Sequence, residues 1–83
     1  MSTTNATPDP NNPIVFLDKA VEIARLNGHQ VDGWMMSAAA AGGVIAWLYR
    51  DDDEGQWSLF DEVEEKKTAL EAAKWVLAAA AQL

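Results

Sequence analysis

The chain has 83 residues and a net charge of −7, with six Lys and Arg against thirteen Asp and Glu and no cysteine. That length has room for one small domain, and the missing cysteine excludes a disulfide staple and catalysis by a thiol. The acidic balance disfavours direct binding to nucleic acid or to an anionic membrane, since both need clustered Lys and Arg.

Residues 1–12 hold only Met1 and Ala6 as apolar side chains, so burial cannot offset the entropy of ordering them. A disordered tail is expected there, followed by a single α+β domain over residues 13–83. The N-terminus has no positive region followed by an apolar one, so no secretory signal is expected. No apolar run reaches the roughly 18 residues of a membrane span. The expected location is cytoplasmic, with no membrane partner.

A first helix is predicted from Pro13, with Asn12 as its cap and Asn27-Gly28 as its stop. Ile14, Leu17, Val21 and Ala24 fall at helical spacing, and Phe16, Ala20 and Ile23 widen the apolar face. Asp18, Lys19, Glu22 and Arg25 take the other side.

Residues 34–41 allow two readings. Met35, Met36 and the alanines favour a short helix that starts at Asp32 and stops at Gly42-Gly43. A strand from Trp34 to Ala40 would instead give a better sheet, because an isolated two-stranded hairpin is marginal. Propensity tips the expectation towards the helix.

A β-hairpin follows, with strands over residues 44–50 and 56–60, both rich in aromatic and β-branched side chains. Asp51 to Gly55 form its turn, and Gly55 suits the left-handed position of a type I turn plus bulge. The register stays open by one residue, so either Leu48 or Tyr49 can face Leu59.

A last helix is expected from Asp61, where Asp61 and Glu64 make a D-x-x-E capping box and acids crowd a helix start. Val63, Leu70 and Leu77 would form its stripe, flanked by Ala69, Ala73, Val76 and Ala80. Trp75, Ala72 and Ala79 fall off that stripe, at the core edge or on a second contact surface. The predicted fold is thus α+β: a small antiparallel sheet of two or three strands packed against an N-terminal and a C-terminal helix. Trp34, Trp47, Trp57 and Trp75 are expected to contribute its packing.

The chemistry of catalysis is sparse. His29 lies in a Gly28-His29-Gln30 connection, Ser37 and Ser58 have unremarkable neighbours, and no nucleophile elbow or phosphate-binding glycine loop is present. Asp51-Asp52-Asp53-Glu54-Gly55 lacks the ligand spacing of an EF-hand, and one histidine cannot assemble a zinc site. No cofactor, no metal and no enzymatic activity are expected.

What stands out is an acidic cluster: Asp51, Asp52, Asp53 and Glu54, then Asp61, Glu62, Glu64 and Glu65, with no basic residue before Lys66. Packed like charges repel, so a fold keeps them where water or a cationic partner screens them. The second strand would separate the two halves by about 16 Å, at about 3.3 Å for each of its residues. Such a band suits a basic groove, although a solvated turn and a helix start could equally carry these acids. Trp47, Tyr49 and Trp57 could serve as a stacking platform for bases, but such platforms work beside positive charge, and core packing is the expectation.

The run from Val44-Ile45-Ala46-Trp47 through Gln56-Trp57-Ser58-Leu59-Phe60-Asp61 into Val63-Glu64-Glu65, with the small size and the acid cluster, resembles phage-encoded anti-CRISPR proteins and other nucleic-acid mimics. The resemblance rests on architecture and charge over about half the chain. It implies an inhibitor in a bacterial host cell that binds a basic nucleic-acid-binding protein or ribonucleoprotein complex, such as a CRISPR effector, and blocks DNA recognition without turnover. The alternative is a small structural or adaptor module, in one version a homodimer, that contacts its partner through apolar surface of the C-terminal helix.

Overall fold

Helix α1, Pro13–Leu26, forms where its local signals place it. Asn12 caps it by accepting the Ile14 N–H at 3.0 Å, and Asn27 ends it. Leu17, Ala20 and Ala24 are its buried side chains, whereas Ile14 is 47% exposed. The computed structural model describes residues 10–83; the expected tail before residue 10 lies outside them.

The remaining elements are β1 (Gly33–Ala38), β2 (Val44–Asp52), β3 (Gly55–Ser58) and α2 (Ala69–Ala80). The strands form one antiparallel sheet in the order β1-β2-β3. The α+β class is therefore as predicted, with three strands.

Two elements differ from expectation. Residues 33–38 are a strand, so the helix favoured by Met35, Met36 and the alanines does not form. Pairing along all of β1 with β2 outweighs a propensity difference of a few tenths of a kcal/mol per residue. The last helix starts at Ala69, eight residues after Asp61. Its cap is Thr68, whose Oγ1 accepts the Glu71 N–H at 3.1 Å. Thr68 and Glu71 are the T-x-x-E capping box, and the Asp61–Glu64 box is not used.

What pulls residues 59–67 out of helical form is the sheet. Leu59 N–H donates to the Leu48 carbonyl at 3.0 Å, and Lys66 exchanges both backbone hydrogen bonds with Val44 at 2.7 and 2.8 Å. Gly43 makes room for this crossing: a Cβ there would lie 2.5 Å from the Lys66 carbonyl oxygen. The hairpin register settles as Tyr49 opposite Ser58, which leaves Leu48 facing Leu59. Asp51 and Asp52 belong to β2, and Gly55, at φ +132°, occupies the region that favours glycine.

The core lies between the sheet and a layer of two helices. Leu17, Leu48 and Val76 are its largest fully buried side chains. Six of its ten buried residues are alanines: Ala20 and Ala24 on α1, Ala46 on β2, and Ala72, Ala73 and Ala80 on α2. Small side chains let the helices approach closely, but each buries little apolar area. Phe60 meets Trp75 edge to face, with centroids 5.3 Å apart at 77°. That contact holds the 59–67 segment under α2.

Candidate functional site

Along the central strand, side chains alternate between the two faces. Ala46 and Leu48 are buried beneath the helices, so Ile45, Trp47 and Tyr49 point to the opposite face. Met35, paired with Trp47, joins them, and no helix covers that side. Trp57 pairs with Arg50 and therefore lies on the helix side, 46% exposed beyond the helices. The three aromatics considered for a stacking platform are thus divided between two faces. Of the four tryptophans, Trp34 and Trp75 pack against the core; Trp47 and Trp57 do not, contrary to expectation.

All eight acids of the cluster are exposed. Asp51, Asp52, Asp53 and Glu54 form the tip of the β2–β3 hairpin. Asp61, Glu62, Glu64 and Glu65 sit on the segment that runs back beside β2 to the Val44–Lys66 bridge. None of these four is on a helix. The eight acids therefore share the β3 side of the sheet and are strung along β2. That nine-residue strand is about 26 Å long at about 3.3 Å per step, so the band exceeds the expected span.

Internal bonds engage two of the eight carboxylates. Asp52 accepts the Trp57 indole N–H at 3.0 Å and the Glu54 N–H at 2.8 Å. The indole bond first, and then the backbone bond, hold its carboxyl below the usual aspartate value. Glu64 accepts from the Lys66 ammonium at 3.0 Å; that bond and the Lys66 charge hold it below the usual glutamate value. Among the described residues, the carboxylates of Asp51, Asp53, Glu54, Asp61, Glu62 and Glu65 have no such hydrogen bond or ion pair.

The structure adds one acid that the sequence did not single out. Asp32, just before β1, accepts the backbone N–H of Asp51, which brings a fifth carboxylate to the hairpin tip. Only the β1–β2 pairing reveals it, because nineteen positions separate the two residues.

Elsewhere the surface is shallow. A cleft of about 710 Å³ between α1 and β1 is lined by Asp18, Glu22, Arg25, Asp32, Trp34 and Tyr49, among others. Trp34 donates its indole N–H to Asp18 at 3.1 Å, and Arg25 donates twice to the Val31 carbonyl, at 3.0 and 2.7 Å. His29 and Ser58 line a smaller cleft of about 300 Å³ with Arg50 and Trp57. The Ser58 hydroxyl donates to the Phe60 carbonyl at 3.1 Å, so its proton is not directed at His29. Among the described residues, no group of three or more His, Asp or Glu is arranged to hold a metal ion. No described helix is long and apolar enough to cross a membrane.

No family model matches this chain, and no curated protein or solved structure matches it either.

Proposed function

We propose that this chain is a non-enzymatic inhibitor or interaction protein whose acidic edge occupies the basic nucleic-acid-binding channel of a partner complex. The observation that carries this reading is the row of six exposed carboxylates without internal partners on one side of the sheet. At about 3.4 Å per nucleotide step along a strand, an edge about 26 Å long spans roughly eight phosphates. A CRISPR effector is one complex with such a channel, and blocking it would prevent DNA recognition.

Competition tests the reading. Added single- or double-stranded nucleic acid should release the bound partner, since both ligands would claim the same Lys and Arg side chains. A partner that binds nucleic acid and this chain at the same time would contradict it.

The open sheet face supports a second reading, that of an apolar adaptor. Met35, Ile45 and Trp47 offer such surface beside that of the C-terminal helix, where Ala72 is buried but Trp75 and Ala79 are only partly so. Association through this face would resist high salt and be lost in Trp47→Ser.

A further inference from the structure

We propose that the free edge of β1 pairs with the same edge of a second copy, joining two sheets into one of six antiparallel strands. This goes beyond the acidic edge and uses the opposite side of the sheet. The β1–β2 register and the Ala39 N–H bond to the Gly43 carbonyl fix which residues of β1 face β2. Gly33, Met35 and Ser37 bond inward; Trp34, Met36 and Ala38 direct their N–H and C=O groups outward. Among the described residues, no backbone partner meets these outward groups; the Ala38 carbonyl accepts only the Ser37 hydroxyl, a long bond at 3.3 Å that pairing would displace.

Sheet edges that must stay single are normally guarded by charge, proline or a bulge. Gly33–Ala38 carries no charge and no proline, and its one irregularity, Asp32 and Gly33 both facing Tyr49, lies at its very start. The β3 side, by contrast, carries eight carboxylates and is partly closed by the Val44–Lys66 bridge. With a net charge of −7, two copies can meet edge to edge only where those acids are absent.

The β1 edge is also complementary to itself. A two-fold axis at Met36 sets Trp34 opposite Ala38 of the second copy, and Met36 opposite Met36. All three outward residues then exchange both hydrogen bonds. Trp34 meets the smallest side chain of the strand, and on the other face Met35 meets Ser37. Asp32 falls opposite Ala40 of the second copy, so no like charges are opposed along the ladder. Such an interface is isologous and closes at the dimer.

The test is sedimentation equilibrium of the full chain into the high micromolar range, with amide hydrogen exchange read at Trp34, Met36 and Ala38. The chain should sediment as a dimer, and these three amides should slow by about tenfold or more as dimer forms. Ala38→Pro removes an outward N–H and leaves the β1–β2 ladder intact, so it should weaken the dimer by about tenfold or more. Reversing Asp53, Glu54, Asp61 and Glu62 to Lys should leave the dimer in place, which separates this inference from the proposed function. A monomer at high micromolar concentration, or a dimer in which the three amides exchange as freely as in the monomer, would overturn it. The exchange result stands even if Ala38→Pro fails to fold.

Discussion

Trp57 donates its indole N–H to the carboxylate of Asp52 at 3.0 Å, a diagonal contact across the β2–β3 ladder on the helix side of the sheet. The same oxygen accepts the Glu54 N–H at 2.8 Å. One carboxylate therefore orders both the turn and an otherwise exposed tryptophan. Because these bonds favour the ionised form, Asp52 titrates below the usual aspartate value. Its contribution to stability is fully present above that usual value and is lost as pH falls through the lower, folded one. Acidification below about pH 4 should therefore shift the NMR signal of the Trp57 indole N–H. Asp52→Asn should abolish that titration, and an indole signal unmoved through this range would argue against the contact.

Capping separates the observed start of α2 from the expected one. Thr68→Ala should destabilise the domain by about 1 kcal/mol, the usual cost of losing an N-cap. Asp61→Ala should cost less than about 0.5 kcal/mol, since Asp61 is an exposed loop residue. Urea unfolding of the two variants decides between the starts; a larger loss in Asp61→Ala would favour the earlier one.

The alanine-rich core concentrates stability in few side chains. Leu48 is fully buried on the central strand, and Leu48→Ala should cost about 2–5 kcal/mol. Small domains have total stabilities starting at about 5 kcal/mol, so this variant should lose much of its stability and melt at a clearly lower temperature by circular dichroism. A cooperative thermal transition close to that of the parent chain would contradict the assignment of Leu48 to the core.

Gly43 is predicted to be intolerant for a steric reason. An added methyl would sit 2.5 Å from the Lys66 carbonyl and 2.6 Å from a Glu65 carboxylate oxygen. Gly43→Ala should therefore break the Val44–Lys66 bridge, seen as faster exchange of both backbone amides. Retained protection would show that the crossing is looser than described.

Local signals made α1 legible: Asn12, Pro13 and Gly28 mark its ends without help from tertiary structure. The existence of the hairpin was legible too, since its aromatic and β-branched runs flank a turn that ends in Gly55. Residues 33–38 were not, because Met and Ala favour a helix and only pairing with β2 selects a strand. The start of α2 was obscured for a related reason. Asp61 to Glu65 imitate an acidic first turn, but the Lys66–Val44 bonds, formed across more than twenty residues, hold the chain extended. The eight acids were visible by composition, whereas the addition of Asp32 and the internal use of Asp52 and Glu64 depend on register and contact. Those contacts also show which acids can be reversed without disturbing the fold: Asp53, Glu54, Asp61 and Glu62.

The most direct test is capture of partners from a bacterial lysate with the tagged chain, alongside a folded variant carrying Asp53→Lys, Glu54→Lys, Asp61→Lys and Glu62→Lys. Each sample is washed at low and at high salt. Exposed charges are screened within about 8 Å at physiological ionic strength and within about 3 Å at 1 M. The account predicts a nucleic-acid-binding complex that is retained at low salt, lost at high salt, absent with the variant and released by added nucleic acid. A partner held equally by the variant and through the high-salt wash would contradict it.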